Sequence, residues 1–320
     1  MISCSPLPLA FFQSLRSLFT GSSPDVPVND LSFGLIEVQA IKPMLEQKQW
    51  QAFEKVATEL APDDLTRLLD GLCLSDYYAP LLEQYQKSGT SELRRLVAAV
   101  HATFRAWQAR SGAYARELSQ QQIDGFSYFL GQAHSQLVKP FAAPNLQAQA
   151  AARLVRVAMG LSDPELADAA YKQCVALNPA HLQAHLFYFN VLTPKWFGSE
   201  DALEDFVAAT ADSPLHDLLQ AMYVAELWCE VVDSTDIAKE NFRSENAHRI
   251  SELLAKQPVG DDLLYAIYLN NYLACLHHEL GSAVILNQFL QILGTRITAY
   301  PWASFGYSQR AVQQLGAATK

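Results

Sequence analysis

From Leu35 onward, apolar residues recur every three to four positions, and no stretch shows the strict alternation of a half-buried strand. This period predicts helices over about 35–60, 63–74, 76–87, 90–111, 113–139, 145–160, 164–177, 180–192, 200–211, 215–232, 236–256, 261–280, 282–299 and 303–315. Several starts carry capping residues. Thr90-Ser91-Glu92, Ser162-Asp163-Pro164-Glu165 and Ser199-Glu200-Asp201 each place a hydroxyl ahead of an acidic first turn, which satisfies free N–H groups and suits the helix dipole. Gly89, Gly112 and Gly281 sit where helices end. The fold class is all-α, and the short connections make neighbouring helices antiparallel.

Two of these segments match at an offset of 35 residues. Ala167, Tyr171, Cys174 and Pro179 correspond to Ala202, Phe206, Ala209 and Pro214, and Pro144 lies a further 35 residues upstream. Positions i, i+4 and i+7 share one helix face, and the proline ends one helix and starts the next. A period of this size belongs to helical-hairpin arrays of the tetratricopeptide class, an α-solenoid. The array is irregular. Ile250, Leu253 and Pro258 keep the spacing, as do Phe289 and Pro301, but those proline intervals stretch to 44 and 43 residues. The expected organisation is an N-terminal apolar segment and linker (1–34), a non-repeating helical half (35–143) and a repeat-like half (144–320), the halves sharing one core.

Composition narrows the partners. Half of the 320 residues are apolar and 18% are charged, enough apolar mass for a continuous core. A net charge of −10 disfavours nucleic acid, whose phosphates need a basic footprint, and leaves a basic protein or peptide as one class of partner. Five widely spaced cysteines, Cys4, Cys73, Cys174, Cys229 and Cys275, read as reduced core thiols of a cytoplasmic protein. The stretch nearest to a membrane span, Leu263 to Leu276, is interrupted by Asn270 and Asn271, so no transmembrane segment is expected. Residues 1–24 carry only Arg16 as a charge and read as a helix that docks on the body, a partner or a membrane surface.

Candidate chemistry is sparse. His181 and His185 stand at the i, i+4 spacing that can put two imidazoles on one metal, but Leu182 replaces the metalloprotease glutamate and no third ligand follows. They read as the polar edge of a repeat helix. His277, His278 and Glu279 are adjacent and diverge around a helix. Glu200, Asp201, Glu204 and Asp205 form a solvated first turn. Nucleophile-elbow, phosphate-loop and dinucleotide motifs are absent from the sequence, so no catalytic residue, metal or cofactor is expected. An enzyme would need a carboxylate–histidine pair, with Glu226 or Glu230 as the carboxylate.

The most distinctive string is Pro194-Lys195-Trp196-Phe197-Gly198-Ser199, between two helices of one repeat unit. Trp196 there fills the gap between hairpins, or with Lys195 contacts a partner. The string resembles the Pro-Lys-Trp-Gly-Gly-Ser signature of a bacterial tetratricopeptide-like family of unknown function. Phe104-Arg105-Ala106-Trp107-Gln108-Ala109-Arg110-Ser111-Gly112 resembles its second block. The resemblance covers roughly 45–215, with Phe197 at a glycine position and Ser111 ahead of the glycine in the second block. It implies a helical-repeat fold and brings no activity or cofactor. The function expected is an adaptor that binds a peptide or protein on a concave helical face, through Gln149, Arg156, Phe187, Lys195 and Trp196. The alternatives are an immunity protein masking a basic toxin, an all-helical enzyme, or self-association through the apolar run 283–293.

Overall fold

The computed structural model describes residues 30–110, 117–260 and 263–317, and all regular secondary structure among them is helical. Expectations for residues 1–24, Cys4 and Gly112 lie outside the described residues. The chain divides at 203/204 into two compact units, whose described parts are 30–203 and 204–317. Residues on both sides of the expected 143/144 boundary share one apolar cluster, so that boundary runs through the interior of the first unit.

Three helices, α1 (Leu35–Val38), α2 (Ile41–Glu46) and α3 (Trp50–Glu59), replace the single one expected over 35–60. Ala40 and Lys48 take left-handed backbone, with φ of 53° and 56°, and turn the chain between them. Next come α4 (Pro62–Leu74), α5 (Ala79–Lys87), α6 (Glu92–Arg110) and α7 (Gln120–Leu137). Pro62 opens α4 where its missing N–H is harmless, and Leu65, Leu68, Leu69 and Leu72 form its buried face. Glu54 of α3 ties three helices together. Its Oε1 accepts from Tyr85 Oη at 2.9 Å and Ser91 Oγ at 2.7 Å, and Arg94 Nε lies 3.0 Å away. Helix α7 starts at Ser119, whose Oγ accepts from the Gln122 amide while the Gln122 side chain accepts from the Ser119 amide.

Helices α8 (Pro144–Leu161), α9 (Pro164–Leu177) and α10 (Leu182–Val191) pack against one another, and α8 also packs on α4, α6 and α7. Small residues permit this crowding. Ala150, Ala152, Ala158, Ala167 and Ala170 are buried, and a Cβ on Gly160 would lie 2.8 Å from Leu130 Cδ1. Ser162 closes α8 in left-handed backbone, and Asp163 caps α9 by accepting from the Leu166 amide at 2.9 Å. The acidic residue thus takes the capping role that the sequence pattern gave to the hydroxyl.

Helix α11 (Glu200–Ala208) carries the division between the units. Pro179 and Pro214 both lie in turns. Ala167 and Cys174 are buried and Tyr171 half-buried, whereas Ala202 is half-buried, Phe206 buried and Ala209 exposed. The inward face of α11 is Leu203, Phe206 and Val207, one step rotated from the face matched by the 35-residue offset.

The second unit contains α12 (His216–Val231), α13 (Asp236–Glu245), α14 (Ala247–Leu254), α15 (Leu264–Glu279), α16 (Ala283–Leu293), a 3₁₀ turn (Trp302–Phe305) and α17 (Gln309–Ala317). One helix was expected over 236–256, but the backbone breaks at Asn246, whose Nδ2 donates to Phe242 O. Helix α15 is the buried centre, and its two asparagines are clamps. Asn270 exchanges two bonds with the Val259 backbone at 3.0 and 2.7 Å. Asn271 donates to Ile267 O and Arg296 O and accepts from Thr298 N and Trp302 Nε1. Among the described residues, no helix is long and apolar enough to cross a membrane. The run 283–293 forms α16, which turns Leu286, Phe289, Leu290 and Leu293 inward and leaves Val284 exposed.

Phe53 is fully buried and meets Tyr85 edge-to-face at 5.1 Å. Phe53→Ala should lower unfolding free energy by about 3–5 kcal/mol. Tyr85→Phe, which keeps the ring and removes the hydroxyl that donates to Glu54, should lower it by about 0.5–1.5 kcal/mol. Urea titration of both variants checks the order, and a Tyr85→Phe loss equal to that of Phe53→Ala would contradict this account of the core.

Candidate ligand-binding surface

Helices α6, α8 and α10 bring arginines and aromatic rings together in the first unit. Trp107, on the last turns of α6, meets Phe126 of α7 at 5.2 Å and Trp196 at 5.9 Å, both near-perpendicular. The Arg156 guanidinium of α8 lies 3.7 Å above the Trp107 ring and 5.8 Å from the Phe187 ring of α10. Arg110 lies 5.8 Å from Trp107 and 5.9 Å from Trp196. Arg110 is buried, and burial lowers its pKa. Each such cation–π contact contributes about 0.5–2 kcal/mol, the larger values where water is excluded.

The Pro194–Ser199 loop supplies the edge of this cluster. Trp196 is half-buried against the core, Lys195 is half-buried, and Phe197 is exposed beside Trp196 at 6.2 Å. Gly198 is required here because a Cβ at that position would lie 2.0 Å from the Leu192 carbonyl oxygen. The loop is therefore folded tightly back onto the end of α10, and Ser199 Oγ caps α11 by accepting from the Ala202 amide at 3.1 Å.

Behind Phe187 lies a buried polar layer. Arg153, one turn before Arg156 on α8, has a side chain only 3% exposed, and its Nη1 donates to Asp70 Oδ1 of α4 at 2.6 Å. Burial raises the pKa of Asp70, with the Arg153 charge and hydrogen bond opposing. The Arg153 guanidinium also lies 6.0 Å from the Phe187 ring, so this ring borders Arg153 as well as Arg156. One turn earlier, Gln149 is fully buried and donates to Pro62 O and Thr66 Oγ1, both at 2.7 Å. The structure thus moves Gln149 from the expected binding face into the interior, because α8 is covered by α4 along that side.

His181 and His185 sit inside the same unit rather than on a polar edge. His181 Nδ1 caps α10, accepting from the Ala184 amide at 3.4 Å, and His185 Nδ1 lies 3.0 Å from His181 O. Burial, then the charges of Arg153 and His185, lower the pKa of His181 to about 4. Burial also lowers that of His185, and its ring packs on Tyr171 at 5.3 Å. Tyr171 stacks flat on Tyr188 at 4.1 Å, and Tyr188 Oη donates to Asp168 at 2.9 Å. Cys174 Sγ donates to Ala148 O, and burial pushes its thiol up to about 12.

In the second unit, His278 Nε2 lies 4.0 Å from Glu279 Oε1, and Trp228 Nε1 donates to Glu279 Oε2 at 3.3 Å. Glu226 and Glu230 act on Cys229, whose thiol is raised to about 12 by burial first and these carboxylates second. Among the described residues, no group of three or more potential metal ligands forms.

Arg156, Phe187, Lys195 and Trp196 are sequence-level candidates for the binding face; Arg153 and Asp70 are not among them. Arg153 lies four positions after Gln149 on the face already chosen, which was the available signal. Asp70 gives no such signal, since only packing of α4 on α8 brings it to Arg153. Comparison with family models, curated proteins and solved structures finds no match for this chain.

Arg153→Met should cost about 3–5 kcal/mol by leaving Asp70 without its partner, and Arg153→Met/Asp70→Leu should recover most of that loss. Denaturant titration of the single and double variants checks the coupling; equal instability of the two would show that the pair is not coupled.

The histidines make stability depend on pH. Unfolded His181 takes up a proton near 6.5, whereas in the fold it does so only near 4. The unfolded chain therefore holds the extra proton across that window, and stability falls as pH drops through it. Asp63, raised to about 6 by burial, acts in the opposite sense. His181→Asn keeps a capping acceptor and removes the titration. Wild type should lose stability more steeply than this variant, by up to about 1.4 kcal/mol per pH unit between these limits. Denaturant midpoints measured across the window check the difference in slope.

Proposed function

We propose that this protein is an interaction module that binds a carboxylate-bearing peptide segment of a partner protein at the Arg156–Trp107–Phe187–Trp196 surface. The observation that carries this reading is the Arg156 guanidinium stacked 3.7 Å over Trp107, with half-buried Phe187 and Trp196 and exposed Phe197 beside it. Arginine and large aromatic side chains are the types that dominate binding hot spots, because they combine apolar area with directional polar contacts. A guanidinium beside an indole offers a carboxylate both charge and directional N–H donors. Charge complementarity favours an acidic segment, since Arg110, Arg153 and Arg156 gather here in a chain of net charge −10.

The wider reading is a tetratricopeptide-like hairpin array. It is supported by the all-helical fold, by the 35-residue offset with its turn-placed Pro179 and Pro214, and by the resemblance of the Pro194–Ser199 string to the family signature. Such arrays bury a continuous core between hairpins and present helix faces to partners.

A displayed library of random peptides with free C-termini tests the proposal. Selected binders should be enriched in Asp or Glu, and Arg156→Glu should weaken them about tenfold or more. It should also lose about 0.5–2 kcal/mol of stability with the contact to Trp107, so binding is measured under conditions where the variant is shown to be folded. Failure to select any binder, or binders indifferent to Arg156→Glu and Phe187→Ala, would overturn it.

A further inference from the structure

Arg153 uses only part of its fork on Asp70. Among the described residues, its Nε and Nη2 have no hydrogen-bond partner, and neither does the buried Nε2 of His181. His181 Nδ1 accepts from the Ala184 amide, so Nε2 is the protonated nitrogen and a donor. Helices α8 and α10 pack directly on each other, and the charge of Arg153 acts on His181. Both side chains are almost wholly shielded from water. Leaving buried donors unsatisfied is costly, most of all at a charged group, so these three N–H groups call for an acceptor.

We infer that the Nε–Nη2 edge of Arg153, assisted by His181 Nε2–H, is a binding site for a carboxylate. The side-by-side N–H groups of that edge match the two oxygens of one carboxylate, a geometry that neither chloride nor a neutral amide reproduces. Asp70 occupies the other terminal nitrogen of the fork, so ligand and Asp70 flank the guanidinium from different edges. Phe187, half-buried and 6.0 Å from the Arg153 guanidinium and 5.8 Å from that of Arg156, links this edge to the Arg156 face. The site deepens the proposed function, on which its entry from the peptide surface rests: the carboxylate is that of the bound segment. The recognition of a carboxylate itself does not depend on that reading.

The probe is acetate, titrated into the full chain at constant ionic strength with chloride as the balancing anion and followed by calorimetry and thermal midpoint. Acetate should give a saturable rise in midpoint, and acetamide should give none. Arg153→Lys keeps a cation for Asp70 but loses the fork, and should weaken acetate about tenfold or more. His181→Asn, which keeps the helix cap, should weaken acetate severalfold and serves where Arg153→Lys does not fold. An acetate response equal to that of chloride, acetate binding unchanged in the variants, or a crystal grown in acetate showing only water on Arg153 Nε and Nη2 would each overturn the inference. A selected peptide with a free terminus, compared with its amidated form, separates the two proposals. If acetate binds and no peptide is selected, the carboxylate site stands and the peptide-binding reading falls. If peptides bind through Arg156 but are indifferent to Arg153→Lys, the opposite holds.

Discussion

The buried pair of Arg153 and Asp70 is the constraint on which the first unit depends. A guanidinium only 3% exposed is tolerable only while a carboxylate faces it, and the 2.6 Å contact fixes α8 against α4 at one register. Sliding α8 by one turn would place Gln149 or Val157 opposite Asp70 and strand both charges. Gln149 reinforces the same register by donating to the first turn of α4. An apolar pair of similar volume would fill this space at least as stably, so the ion pair matters because each charge needs its partner and not because the pair adds net stability.

That alignment shapes the surface in front of it. With α8 fixed, Arg153 and Arg156 both lie near the Phe187 ring, and Arg156 reaches across to Trp107. The Pro194–Ser199 loop completes the cluster because Gly198 lets the backbone close on Leu192 and so delivers Trp196 to Trp107. The Pro194–Ser199 string therefore has two structural duties, a tight reversal and an aromatic contact.

The second unit solves a comparable problem without charge. Its central helix α15 is buried over most of its length, and Asn270 and Asn271 turn that buried position to use by binding backbone groups of the segments before and after it. Asn271 satisfies both amide hydrogens and its carbonyl, including the indole of fully buried Trp302. Residues that interrupt an apolar run in the sequence are thus the ones that organise the surrounding loops.

By itself the sequence determined the helical class and most element positions, because a 3.6-residue apolar period and local capping groups act within a few residues of chain. It also offered Gln149, Arg156, Phe187, Lys195 and Trp196 as candidates for an inner face and its rim. Only the tertiary structure decided that Gln149 is interior, that His181 and His185 are core residues, and that Asp70 meets Arg153. Those outcomes depend on which helix covers which face, and contacts spanning 83 residues leave no periodic trace in a single sequence. The helix breaks at Ala40, Lys48 and Asn246 likewise escape the apolar period: the first two are single left-handed residues, and at the third an asparagine side chain binds the carbonyl of Phe242.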